Sequence, residues 1–113
     1  MGMVTEEPVS RGDIFLVAFN PTRGSEIRRT RPCVVVSPDE LNAHLRTFIV
    51  APLTKGGHPY PSRVSCRFAD QDGHVEPDQL RAVDRDLLVK RLGTLPEATL
   101  FEVLAVLQAM FAI

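Results

Sequence analysis

What most constrains this chain is the brevity of its apolar runs. Asp13–Phe19 (DIFLVAF), Cys33–Ser37 (CVVVS) and Thr47–Leu53 (TFIVAPL) are rich in β-branched and aromatic residues, and turn formers follow each one closely. Runs of this length and make-up read as strands. Only Pro96–Phe111 has the length and spacing of a long helix, with Leu100, Leu104, Leu107 and Phe111 three or four residues apart. Without long helices between the strands there is no material for parallel crossovers. The expected class is therefore α+β or mostly β: a small, mainly antiparallel barrel with short helices and one long C-terminal helix.

Finer expectations follow from the punctuation. Residues 1–10 read as a loose acidic N-terminal arm, and residues 11–113 as one domain, since 113 residues leave no room for a second core. Asn20–Arg31 is a loop. Ser37-Pro38-Asp39-Glu40 signals a short helix ending near His44, with Ser37 as cap, Pro38 at the first helical position and Glu40 completing a capping box. Pro52 suggests an edge strand or a bulge. Ser62–Phe68 alternates, with Val64, Cys66 and Phe68 on one face. Asp70–Gly73 reads as a hairpin turn, with Asp72-Gly73 as its strongest local signal. His74–Glu76 and Gln79–Val83 read as short strands around Pro77, Asp84–Leu88 as one helical turn, and Val89–Thr94 as a last strand. The terminal helix also carries Val103, Val106 and Met110. Such an apolar helix needs cover on more than one side, and a second copy of the chain, a homodimer, is the expected cover.

Charge is uneven. The net is −1, but residues 11–31 sum to +3, 32–68 to +2 and 69–86 to −4. Tryptophan is absent and Tyr60 is the only tyrosine, which argues against a stacking platform for many bases. No apolar run is long enough to span a bilayer and Met1–Ser10 is no signal peptide, so the expected location is cytoplasmic, with no membrane partner. Cys33 and Cys66 belong to no CxxC pair and read as reduced, buried thiols. His44, His58 and His74 are scattered, and the acidic turn Asp70–Asp78 lacks the ligand spacing of a calcium loop, so neither metal nor cofactor is expected. There is no Walker loop, no dinucleotide fingerprint and no nucleophile elbow.

One segment does point to chemistry. Gly24-Ser25-Glu26-Ile27-Arg28-Arg29-Thr30-Arg31-Pro32 runs straight into the CVVVS strand. A basic, glycine-containing loop before a strand can present N–H groups and arginines to phosphate; solvated loop arginines are the plain alternative. Pro32 holds Arg31 extended at the strand mouth.

Five blocks in order then carry a resemblance. Arg11-Gly12-Asp13-Ile14, Asn20-Pro21-Thr22-Arg23-Gly24-Ser25-Glu26, Arg31-Pro32-Cys33-Val34-Val35-Val36-Ser37, Val50-Ala51-Pro52-Leu53-Thr54 and Gly73–Asp84 (GHVEPDQLRAVD), followed by Arg91-Leu92-Gly93 and a terminal helix, resemble the MazF/PemK family of toxin endoribonucleases. The likeness spans roughly residues 10–112. It implies an SH3-like barrel of the CcdB/MazF type, a homodimer, and metal-independent, sequence-specific cleavage of single-stranded RNA (mRNA). It also implies a MazE-like antitoxin partner with an acidic, flexible tail.

Position by position, the resemblance implies catalytic roles for Arg31, Thr54 and Glu26. It implies catalytic or RNA-binding roles for Asp78, Gln79, Arg81 and Ser25. Arg23, Arg28, Arg29, Lys55 and Arg63 are the expected RNA-binding loop residues, and the metal set is empty. Ala82 and Pro96 depart from the family pattern, which usually has threonine and a capping Asp or Ser there. A second class with the same fold, non-catalytic CcdB-like gyrase-binding toxins, uses a tryptophan-containing tail that this chain lacks. An inactive dimeric relative is the third reading.

Overall fold

The computed structural model describes residues 7–19, 29–56 and 60–113. The segments expected as the N-terminal part of the arm, the Asn20–Arg28 part of the basic loop and the 57–59 tip lie outside them. Within the described residues, seven strands run β1 (Asp13–Phe19), β2 (Arg29–Val35), β3 (Thr47–Lys55), β4 (Val64–Phe68), β5 (Gln71–Val75), β6 (Arg81–Asp84) and β7 (Leu88–Thr94). Helix α1 (Asp39–His44) joins β2 to β3, and α2 (Glu97–Met110) ends the chain. The strand order is β4-β5-β3-β2-β1-β7, with β6 also on β3, and every pairing is antiparallel. The sheet curls into a half-barrel with α2 across one face, as expected of a small antiparallel barrel with a terminal helix.

Alternation along the strands splits the core into two faces. Phe15, Val17, Cys33, Val35, Phe48, Val50 and Leu88 form one buried cluster. Ile14, Val34, Ala51, Leu53, Val64, Val75 and Val103 form the other face, against which Leu100, Leu104, Val106 and Leu107 of α2 pack. Val9 is buried in the first cluster, so the folded unit begins before Arg11. Asp13 is buried too, and the Arg91 guanidinium donates to both its oxygens at 2.8 and 2.9 Å.

Several boundaries differ from the sequence reading. Ser37 does not cap α1. Pro38 occupies the cap position without a side-chain bond, while the Ser37 hydroxyl donates to Asn42 Oδ1 at 2.6 Å and accepts from the Ile49 N–H at 3.0 Å. The hydroxyl thus ties the helix to β3. Nor is Pro52 on an edge or in a bulge. It faces Cys33 of β2, and on its other side β3 changes partner, from β6 over Thr47–Val50 to β5 over Leu53–Lys55. Its missing N–H falls where the partner changes.

The hairpin turn is Ala69-Asp70, with φ of 53° and 62° at the two residues. That is the left-handed pair of a two-residue turn, and Phe68 faces Gln71 across it. Asp72 and Gly73 lie inside β5. Gly73 is there for space: a Cβ would strike the Thr54 carbonyl across the β3–β5 ladder. Finally, Pro77–Gln79 is a single 3-10 turn rather than the approach to a strand, closed by the Gln79 N–H on the Glu76 carbonyl at 3.0 Å.

Candidate active site

The site forms where the N-terminal end of β2, the C-terminal half of β3 and the Glu76–Arg81 connection meet. β2 brings Arg29, Thr30 and Arg31 to the mouth of a cleft of about 430 Å³, lined also by Phe19, Pro52, Asp78, Gln79, Leu80 and Arg81. Arg31 holds an extended place in β2 opposite Val17, as Pro32 next to it requires. Its Nη2 donates to Glu76 Oε1 at 3.4 Å and, longer, to the Leu53 carbonyl at 3.5 Å. The Arg31 side chain is 41% exposed, open to a ligand.

Behind Arg31 stands a chain of charges. Glu76 is buried, its side chain only 12% exposed. Its second oxygen accepts from Arg63 Nη1 at 3.0 Å. Arg63 in turn forks onto Asp78, Nε to Oδ1 at 2.8 Å and Nη2 to Oδ2 at 3.2 Å, and Gln79 Nε2 donates to the same Oδ2 at 3.1 Å. The Tyr60 ring lies 5.1 Å below the Arg63 guanidinium. Arg63, held foremost by its bond to Asp78, keeps its proton above the ordinary arginine range. The same bond keeps the Asp78 carboxyl below the usual carboxylate range. A carboxylate so held stays ionised and is a weak base.

The expected residues therefore divide. Arg31, Asp78, Gln79, Arg81 and Arg29 share one cleft. Arg81 lies over the Phe19 ring at 4.5 Å, a cation–π contact that fixes its guanidinium at the cleft wall. Arg63, expected as a loop contact to RNA, is largely enclosed, and its guanidinium binds Glu76 and Asp78. Thr54 follows Leu53 in β3 and pairs with His74; it is half-buried and stands beside the cleft, not in its described lining. Lys55 ends the same strand, exposed, opposite Gly73. Glu26, Ser25, Arg23 and Arg28 lie outside the described residues.

Glu76 is the residue that sequence reading missed. Its signal was weak: one acid among several in an acidic stretch. Only burial beside two arginines sets it apart.

Cys33 sits directly after this arginine-proline pair, and burial pushes its thiol up to about 12; Arg31 pulls the other way but does not win. Burial also raises Cys66. Both are free thiols in protonated form at neutral pH, poor nucleophiles and poor metal ligands. Among the described residues no group of three or more His, Cys, Asp or Glu side chains is arranged to hold a metal ion.

A cleft walled by arginines and backed by paired carboxylates suits a phosphodiester. Known proteins place the chain more narrowly. Residues 10–111 match the family described as PemK-like, MazF-like toxin of type II toxin–antitoxin system. The endoribonuclease toxin ChpB of Escherichia coli (strain K12) is 35% identical over 96% of this chain and 98% of that protein. The endoribonuclease PemK of Escherichia coli is also 35% identical, over 85% and 77%.

Among solved structures, MazF (Form-I) from Deinococcus radiodurans superposes with a TM-score of 0.78 at 25% identity, covering 96% of this chain and all of that one (100%). The MazE–MazF complex (Form-III) from the same organism gives 0.77 at 27%, covering 94% and 97%. These relatives favour the RNA-cleaving class over the gyrase-binding one. Matching strands, cleft arginines and nearly full-length coverage agree: the chain belongs to the PemK-like, MazF-like family of toxins of type II toxin–antitoxin systems.

Proposed function

We propose that this chain is an endoribonuclease toxin that cleaves single-stranded mRNA at a short sequence, without metal, using the RNA's own 2′-OH. The observation that carries the reading is Arg31. It is anchored through Nη2 at the mouth of a basic cleft and remains open to solvent. The 2′-oxygen attacks the adjacent phosphorus, a new P–O2′ bond forms and the P–O5′ bond breaks. Arg31 donates two N–H bonds to the phosphoryl oxygens as their negative charge grows, and Thr54 gives a third. Arginine stays protonated near neutral pH, so it stabilises charge and is not the base.

Glu26 takes the 2′-OH proton. Asp78, the second candidate, is already ionised and bound by the Arg63 fork, which makes it the poorer base. The departing 5′-oxygen takes a proton from water, and protonated Glu26 returns its own to solvent, leaving a 2′,3′-cyclic phosphate and a 5′-hydroxyl end. Arg29 and Arg81 hold flanking phosphates, and Gln79 reads a base edge.

The test is an RNA carrying a single 2′-deoxy residue at the cleaved position, incubated in EDTA beside the all-ribose strand. The all-ribose strand is expected to be cut with EDTA present and the deoxy strand to survive. Cleavage of the deoxy strand, or loss of activity in EDTA, would sink the mechanism.

The same cleft suits an acidic, extended antitoxin segment, which would block RNA by covering Arg29, Arg31 and Arg81. The proposed place of action is the cytoplasm; among the described residues, no helix is long and apolar enough to cross a membrane.

The active form proposed is a homodimer. Only Val103 of α2 is fully buried, while Phe101 and Phe111 are 59% and 70% exposed. Beside them Arg11, Val36, Leu104, Leu107 and Phe111 line an open groove. An apolar face of this kind marks an interaction surface, and a second copy of α2 would cover it. Because Phe111 is already in water in one protomer, Phe111→Glu is expected to leave the fold intact and to weaken dimerisation at least tenfold by analytical ultracentrifugation. A variant that stays as tightly dimeric as wild type places the seam elsewhere.

A further inference from the structure

Glu76 is costly where it stands. A carboxylate taken out of water must be paired, and in a site that binds a polyanion it also repels the ligand. Its backbone is fixed on both sides: the N–H donates to the Pro52 carbonyl at 2.9 Å, and its own carbonyl accepts from Gln79. Its side chain is shared between two guanidinium groups from different parts of the chain. Arg63 is the tightly held one, with 3.0 Å to Glu76 and 2.8 and 3.2 Å to Asp78. Arg31 is the loosely held one, at 3.4 Å. Arg63 lies against two carboxylates, so it neutralises Asp78 and part of Glu76. What remains of the Glu76 charge faces Arg31.

We propose that Glu76 is a positioning residue for Arg31: anchored by Arg63 and by the Pro52 carbonyl, it holds Nη2 of the Arg31 guanidinium so that the remaining N–H groups face the scissile phosphate. The inference rests on the cleavage reading above. It has an unusual signature, because the two effects of the carboxylate oppose each other. Orientation favours turnover, while its charge disfavours RNA binding. Glu76→Gln keeps the shape and a hydrogen-bonding side chain but removes the charge, so kcat should fall while affinity rises. A residue that merely held the fold would lower both together.

The experiment measures kcat on all-ribose RNA, and Kd for the uncleavable 2′-deoxy oligonucleotide, with wild type, Glu76→Gln, Arg31→Ala and the double variant. The expected result is a kcat at least tenfold lower in Glu76→Gln, with the deoxy strand bound about two- to fivefold more tightly. In the Arg31→Ala background, Glu76→Gln should cost no further activity, since groups acting through one another are not additive. If Glu76→Gln does not fold, Arg63→Gln reads the same link from its outer end and should lower kcat several-fold. A kcat within twofold of wild type overturns the inference. So does a parallel loss of turnover and binding, or additive losses in the double variant. Failure of the cleavage reading looks different: the wild-type chain itself would leave RNA intact.

Discussion

Arg31→Ala is expected to lower kcat for RNA cleavage by about 10²–10³-fold, the range found when one preorganised donor to a developing oxyanion is removed. The size follows from how few groups are available. The chemistry needs no nucleophile from the protein, so charge stabilisation on the phosphoryl oxygens carries most of the rate. Binding should suffer less, because Arg29 and Arg81 remain in the cleft.

The fold should survive the change. Arg31 is 41% exposed, and its contact with Glu76 is long, at 3.4 Å, so its removal should cost the fold little. Removing it does not orphan the buried carboxylate either, because Glu76 keeps Arg63 at 3.0 Å. Thermal melting should therefore stay close to wild type while end-group assays show little product. A variant cutting at near-wild-type rate would remove Arg31 from the site. A variant that melts far below wild type would show that the pair is structural.

Gly73→Ala should act in the opposite way, through stability. The added methyl would meet backbone, the Thr54 carbonyl oxygen and carbon, and no flexible side chain stands there to yield. One ladder must open or β5 must shift against β3. Overpacking costs of this kind run to about 1–3 kcal/mol, and an obstacle made of backbone puts this site at the upper end. For a domain of this size a loss of 3 kcal/mol corresponds to roughly 10–20 °C in Tm.

Activity should fall with it even below the melting range. The strained ladder joins β3, which carries Thr54, to β5, whose Val75 leads directly into Glu76. Differential scanning calorimetry and RNA cleavage at low temperature check both halves. A Gly73→Ala chain with unchanged Tm would mean that the close approach of β3 and β5 is not held in solution.

These two residues also show what could be read from the linear sequence. Arg31 was legible because its signal is local: an arginine before proline, leading from a basic loop into a CVVVS strand. Proline restricts its neighbour whatever the rest of the fold does. Gly73 was misread for the complementary reason. An Asp-Gly pair favours a turn, but the turn formed at Ala69-Asp70, in spite of an alanine at φ 53°. Pairing β4 with β5 puts Val64 opposite Val75 and keeps both in the core. Turning at Asp72-Gly73 would have set Val75 opposite Asp70 in place of Val64, breaking that apolar pair.

Glu76 and Arg63 were illegible together. Their contact joins positions 13 residues apart in sequence, and nothing in either neighbourhood announces it. Pro52 belongs with them, since an interior proline is tolerated only because β3 changes partner there.

Strand and helix identity, antiparallel class, family and the position of Arg31 were thus determined by the sequence alone, because short-range forces govern them: hydrophobic period, proline geometry and motif order. The tertiary structure decided which carboxylate backs Arg31, where Arg63 spends its fork and why residue 73 must be glycine. Those depend on strand register and burial, which are settled only when distant segments pack and buried charges find partners.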